Sequence, residues 1–306
     1  MKRLRRLDPP ALTDTYEKAQ HGVVRHVALS EDGFRAIERD KPNHIVVDDA
    51  AVLFAQPRRQ RIDLHYAFPD RDAFGRQFPA MLQQLVAAVS PDDGPLGFWF
   101  RLTERTSRPY LEPVLFAHAF ELRREWMEMS LSELPETGPP ADGIAQGFLL
   151  REPRRDDVEQ IVLLEELAFP NPMLTVDAVE EALNSPSVYR VLEETRSGAL
   201  VGSLVAERRP VATGRVTNIV VHPDFQRRGL GEAMLRWSLA WFRQEGLHRA
   251  TLNVAADNAP AIALYRKLGF TPQEFGIDYR RPIDEDEVRQ VLEKNRTEHI
   301  GFGKRR

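Results

Sequence analysis

No cysteine occurs anywhere in the 306 residues. That excludes disulfides, cysteine nucleophiles and thiolate metal sites, and it suits a reducing compartment such as the cytoplasm. Long apolar runs are missing as well; none approaches the roughly 18 residues of a membrane span. The basic start, Lys2 to Arg6, has no apolar stretch behind it, so neither a signal peptide nor a membrane partner is expected. Neither sign of charge dominates. The net charge is -4 with no concentrated basic face, which argues against nucleic acid as a partner. The 8 histidines are scattered without ligand spacing, so no metal is expected. What is there, 42% hydrophobic and 29% charged residues, suffices for packed cores, and the length suits two domains.

A Pro/Gly-rich stretch, Leu134 to Gly143, reads as a linker because neither helix nor strand tolerates it. It predicts a first domain over 1–134, a linker over 135–146 and a second domain over 147–306. In the second half, Gly147 to Arg151 reads as a strand. Helices are expected over Asp156 to Ala168, whose apolar face holds Val158, Ile161, Val162, Leu164-Glu165 and Leu167, and over Thr175 to Asn184. Strands are expected over Val188 to Glu194 and Ala199 to Arg208. A last helix, Asp284 to Arg296, has only a thin apolar stripe.

The densest stretch is Val220 to Gly231. A β-branched strand, Arg215 to Val221, runs into His222-Pro223-Asp224, and Gly229 and Gly231 then open a helix. Such a junction leaves backbone N–H groups unpaired where the helix dipole favours an anion. Arg227 and Arg228 add positive charge, so a phosphorylated ligand is the simplest reading. Leu230, Met234, Trp237 and Trp241 share one helix face, with the tryptophans expected in the core, and Gly246 ends the helix. Arg249 to Ala255 is a second strand. Asn258 and Pro260 begin a short helix that carries Ile262, Tyr265 and Leu268 and closes at Gly269.

These residues resemble the GNAT superfamily of acetyl-CoA-dependent N-acetyltransferases over about 147 to 283. The carrying motifs are Ile219-Val220-Val221, Gln226-Arg227-Arg228-Gly229-Leu230-Gly231, and Asn258-Ala259-Pro260-Ala261 through Tyr265 to Leu268-Gly269-Phe270. The resemblance implies an α/β fold, a mixed splayed sheet with helices on both faces. It implies acetyl-CoA as cosubstrate, its pantetheine between the two central parallel strands and its pyrophosphate on the loop N–H groups. Ile219, Val220, Val221, Arg227, Arg228, Gly229, Leu230, Gly231, Glu232 and Asn258 would bind it.

The implied chemistry is direct acyl transfer to a primary amine of a small molecule, protein or peptide. A neutral amine attacks the thioester, an oxyanion develops, and a thiolate leaves. The resemblance gives the oxyanion a backbone N–H at the end of the Ile219–Val221 strand. It makes Tyr265 the proton donor to the thiolate; by spacing alone Tyr265 would pack a helix face. Asn258 is by default a helix cap. Relatives that acetylate ribosomal-protein N-termini carry a glutamate where this chain has Asn253. The base is therefore open among Glu166, Glu207 and His222, with His222 also readable as a turn residue. The missing glutamate leaves a second reading, a non-catalytic acyl-CoA sensor or interaction module. A kinase-like site lacks Lys-Ser/Thr after the glycines. The acceptor pocket would use loops such as Phe169 to Leu174, and the protein would be a monomer or homodimer.

The first half reads as a degenerate copy. Arg61 to Asp70 resembles Arg215 to Asp224 at an offset of 154, from Asp70 to Asp224. Gly75 is expected to open a helix to Val89, followed by a strand Leu96 to Thr103, a helix Pro109 to Ala119 and a strand Leu122 to Met129. The repeat resembles tandem GNAT proteins. After Pro69, however, there is no second glycine, and Asp70 and Asp72 would repel a pyrophosphate. No coenzyme site is expected there.

Overall fold

The computed structural model describes Glu17, Gln20 and residues 22–28, 30–58, 61–89, 97–136, 144–169, 175–184 and 187–283. The expected terminal helix, most of the linker and most of the Phe169 to Leu174 loop lie outside the described residues.

From Val24 on, and among the described residues, the two halves have the same element order apart from one additional helix in the second. The first runs β1 (Val24–His26), α1 (Glu31–Asp40), β2 (Ile45–Asp48), β3 (Ala51–Arg58), β4 (Arg61–Phe68), α2 (Arg71–Ala88), β5 (Gly97–Leu102), α3 (Arg108–Ala117) and β6 (Glu121–Leu131). The second runs β7 (Phe148–Arg151), α4 (Val158–Ala168), α5 (Val176–Leu183), β8 (Val188–Glu194), β9 (Leu200–Arg209), β10 (Thr213–Val221), α6 (Leu230–Gln244), β11 (Arg249–Ala255), α7 (Ala259–Lys267) and β12 (Thr271–Pro282). Among the described residues, no helix is long and apolar enough to cross a membrane.

The compact units do not follow the expected cut. One unit takes Met1–Trp126 together with Phe275–Arg306; the other is Met127–Glu274. The strand that ends each half is therefore divided, 121–126 and 275–282 to the first unit, 127–131 and 271–274 to the second.

In the first unit, β2, β3 and β4 are antiparallel, β4 and β5 are parallel, and residues 277–282 of β12 lie antiparallel to β5. The core is aromatic. Tyr66 stacks on Phe100 with centroids 4.3 Å apart, and Phe74 on Phe78 at 4.6 Å. Helix α2 starts at Arg71, not Gly75, because the Asp70 carboxylate caps it, accepting from the Ala73 N–H at 2.7 Å. Ile277 and Tyr279 of β12 complete this core.

Between them Asp278 is 1% exposed and accepts from Arg101 Nε at 2.7 Å, Arg124 Nε at 2.9 Å and Trp126 Nε1 at 3.1 Å. Burial alone would raise its pKa; the two guanidiniums outweigh burial and hold it below the usual carboxylate value.

In the second unit, β7, β8, β9 and β10 are antiparallel neighbours, and β10 runs parallel to β11. Helices α4 and α5 cover one face over Tyr189, Val191 and Val205. Helix α6 covers the other, brought close by Gly214, where a Cβ would stand 2.4 Å from the Phe242 ring. The buried face of α6 is Leu230, Met234, Leu235, Ser238, Leu239 and Phe242. Trp237 and Trp241 are half-buried at its edge and not in the core, Trp237 lying under the Arg190 guanidinium at 5.2 Å.

Replacing Asp278 by asparagine is expected to cost about 3 kcal/mol, since two guanidiniums lose their carboxylate. A depressed carboxyl contributes stability above its unfolded value and loses it as pH falls through the folded one. The deficit should therefore persist at neutral pH and shrink below about pH 4. Urea unfolding at the two pH values checks this; equal midpoints at neutral pH would count against it.

Candidate active site

The site is built where two parallel strands part. β10 and β11 pair from Thr213↔Arg249 to Val216↔Leu252, and the ladder ends there although the strands go on to Val221 and Ala255. At the same place β10 has a bulge against β9: Val216 faces Ala206 and Asn218 faces Val205, leaving Thr217 as the extra residue. A bulge kinks its strand and switches the side-chain alternation. Before it, Gly214 and Val216 share the α6 side; after it, Asn218 and Val220 turn to the α4 side. Beyond the bulge, Ile219, Val220 and Val221 stay paired with β9 only.

The loop after β10 is held by its own backbone. Residues Pro223–Phe225 form a single 3₁₀ turn, with His222 Nδ1 accepting from the Asp224 N–H at 3.2 Å. Gln226 Nε2 donates to the Val221 carbonyl at 3.1 Å, and Arg228 Nη2 to the Asp224 carbonyl at 3.1 Å. Arg227 takes a left-handed backbone, φ 59, and Gly229 caps α6 at φ 80. Both arginines are exposed. The first intrahelical bond of α6 runs from Ala233 N–H to the Gly229 carbonyl at 3.0 Å. The N–H groups of Leu230, Gly231 and Glu232 precede it and lie outside the helix's own hydrogen-bond ladder.

Gly231 is where the three sequence motifs converge. A Cβ on it would stand 3.8 Å from Val221 Cγ2 and 3.9 Å from Leu264 Cδ2. The Glu232 carboxylate is paired with Lys267 at 2.6 Å and Arg236 at 2.9 Å. Those two cations, Lys267 first, hold the carboxyl below its usual range. Asn258 caps α7, its Oδ1 accepting from the Ala261 N–H at 3.1 Å. Tyr265 follows Leu264 on α7, 6% exposed, and its hydroxyl has no hydrogen-bond partner among the described residues. Burial pushes that hydroxyl up to about 12, so it carries its proton at neutral pH.

The three expected bases are not brought together. Glu166 is exposed on the outer side of α4. Glu207 pairs with Arg209 at 2.6 Å and lies across from Arg215, at the opposite end of β10 from the loop. His222 is engaged in its turn. Asn253 is exposed on β11 just past the parting point. The buried glutamate is the neighbour that sequence reasoning passed over, Glu165, 5% exposed and bonded by the Asn218 side chain. The sequence signal was a charge inside the apolar face of α4.

The acetyltransferase (GNAT) family model matches residues 157–270, all within the second unit. A mycothiol acetyltransferase of Actinosynnema mirum is 28% identical over 205 residues, 64% of this chain and 66% of that protein. The chain thus spans just under two thirds of that relative's length. The ribosomal protein bS18-alanine N-acetyltransferase of Escherichia coli is 41% identical over 115 residues, 36% of this chain and 76% of that protein. A solved tandem GNAT protein from the clavulanic acid biosynthesis pathway aligns at TM-score 0.56 and 14% identity, over 90% of this chain and 96% of it, a likeness of fold.

The two glycines are expected to respond differently to substitution. Gly229→Val forces a branched residue into a left-handed backbone and should cost about 1–2 kcal/mol. Gly231→Ala has room for its Cβ and a helical backbone, so it should be neutral or stabilising by up to about 1 kcal/mol. Thermal unfolding of both variants measures the difference; equal losses would contradict the geometry.

Proposed function

Because the chain belongs to the GNAT acetyltransferase family, we propose that it transfers an acetyl group from acetyl-CoA to a primary amine, using a single site in its second unit. The observation that carries this is the convergence at Gly231 of a strand end freed from its parallel neighbour, a helix N-terminus with open N–H groups, and α7 with its buried tyrosine.

The residues fit acetyl-CoA. The N–H groups of Leu230, Gly231 and Glu232 would hold the pyrophosphate, with Arg227 and Arg228 beside it. The released edge of Ile219 to Val221 would hold the pantetheine, and an N–H at its end would stabilise the oxyanion. Asn258 spends its Oδ1 on the helix cap and would meet the pantetheine arm with its amide group. The coenzyme supplies the acetyl thioester. Tyr265, protonated and without another partner, would give its proton to the leaving sulfur.

The first unit would serve as a degenerate copy without a coenzyme site. Its helix N-terminus is already occupied by the Asp70 carboxylate. Its parallel ladder extends to Leu64↔Phe100, which at the repeat offset of 154 matches Asn218 and Val254, a pair that is not formed in the second unit. Tyr66 then bridges the strands, donating to the Arg101 carbonyl at 2.8 Å.

The acceptor would be a small-molecule amine or a protein N-terminus, in a cytoplasmic setting. One relative is named for mycothiol and another for a ribosomal-protein alanine. The sensor reading is favoured by one observation, the exposed Asn253.

The test is a screen of N-terminal peptides, lysine peptides and small amines with acetyl-CoA, following free thiol. Turnover with one class supports transfer; binding of coenzyme without turnover on any amine supports the sensor. On the accepted amine, Tyr265→Phe should lower kcat by about 10- to 10⁴-fold with coenzyme affinity unchanged. Wild-type kcat in that variant, with chemistry rate-limiting, would leave Tyr265 as packing alone.

A further inference from the structure

Glu165 is a buried carboxylate that nothing in the coenzyme site uses. It sits on α4, 5% exposed, on the sheet face covered by α4 and α5. Asn218 Nδ2 donates to its Oε1, and its other oxygen has no partner among the described residues. No lysine, arginine or histidine among the described residues is paired with it. Arg190 of β8 lies over Trp237 on the opposite face. A carboxylate taken out of water without a countercharge is costly to keep, and such groups concentrate where a ligand supplies the missing charge.

Two further polar groups on the same face are open. The hydroxyls of Tyr189 and Ser203 are enclosed and face each other, with no other polar side chain among the described residues bonded to either. Tyr189 and Asn218 both face Val205, and Ser203 faces Val220, so all three lie on the Glu165 side of the sheet. Burial raises the Tyr189 hydroxyl, the Glu165 charge raises it further, and the Ser203 hydroxyl opposes both. Burial also raises Glu165 itself, opposed by the Asn218 hydrogen bond. Tyr189 is the titratable group coupled to it among the described residues; Asn218 and Ser203 are neutral.

The place is set by the bulge at Thr217. Without the additional residue, Asn218 would turn to the α6 side and could not reach α4. With it, the Asn218–Glu165 pair stands where β10 leaves β11 and where the Ile219–Val221 edge begins.

We propose that Glu165, held by Asn218 at the β10 bulge, receives the acceptor's ammonium group and takes its proton. This rests on the acetyltransferase reading above. The ammonium N–H bond breaks and its electron pair stays on nitrogen, while the proton passes to the carboxylate and from there to water. The freed pair forms the C–N bond, the C–S bond breaks, and sulfur leaves with the C–S bonding pair and takes a proton from Tyr265, which regains one from the nitrogen's side through water. Of the two protons lost by nitrogen, one replaces the proton given to sulfur and one goes to water, so one proton in all is released per turnover.

The experiment uses the full chain and the amine found by thiol release. Glu165→Gln keeps the volume and the Asn218 contact but removes the charge. Its kcat/KM should fall at least about 100-fold near neutral pH. The gap should close as pH rises toward the amine's own pKa, because free amine then needs no base. Coenzyme affinity by calorimetry should stay at the wild-type value. Asn218→Ala removes a donor to the carboxylate and should move the acid limb of kcat/KM up by about 0.5–1 pH unit. Glu165→Gln with wild-type kcat/KM at every pH, or an acid limb unmoved in Asn218→Ala, would overturn the assignment while leaving acetyl transfer standing. Absence of turnover by the wild type on every amine would overturn both.

Discussion

The parting of β10 from β11 after Val216↔Leu252 is the constraint on which the rest of the second unit depends. Hydrogen bonds within a sheet normally satisfy both edges of an inner strand. Here one edge is released over Ile219 to Val221, and that release makes sense as a place for an extended ligand to dock by backbone bonds. The bulge at Thr217 supplies the kink, and Gly214 lets α6 press on the sheet just before it. The same extra residue sends Asn218 toward α4. One local irregularity thus relates the released strand edge to the carboxylate on the α4 face.

The first unit shows what the same plan looks like without that irregularity. β4 pairs with β3 from Val52↔Ala67 to Arg58↔Arg61 with no register shift, and its ladder with β5 runs two pairs further at the repeat offset. Aromatic packing of Tyr66, Phe74, Phe78 and Phe100 fills the space. The capping carboxylate of Asp70 satisfies the helix N-terminus from within. Burial and capping stabilise this unit where the second leaves groups open. The unit also depends on late chain: Ile277, Asp278 and Tyr279 reach it from β12.

Much of this was legible in the sequence where local rules dominate. β8 and β11 fall on the expected residues, Val188–Glu194 and Arg249–Ala255, because β-branched runs and flanking turns bound them. The α7 cap at Asn258 and the left-handed Gly269 are likewise local chemistry. The family motifs led to the loop Gln226 to Gly231. Three things were not legible, each because it depends on distant chain. The β12 residues that join the first unit are specified by Arg101, Arg124 and Trp126, far away in sequence. The buried face of α6 is chosen by Gly202 and Gly214 on the sheet, which draws Met234 and Phe242 inward and leaves Trp237 and Trp241 at the edge. That Asn218 meets Glu165 follows from a one-residue bulge, to which alternation of apolar residues is blind.

Calorimetric titration of the whole chain with acetyl-CoA tests the central claim most directly, that only the strand pair released by the bulge forms a coenzyme site. One equivalent should bind to the wild type and none to Gly231→Glu, whose carboxylate enters the anion site at a position where a side chain has room. Two equivalents, or one retained at wild-type affinity in Gly231→Glu, would contradict it.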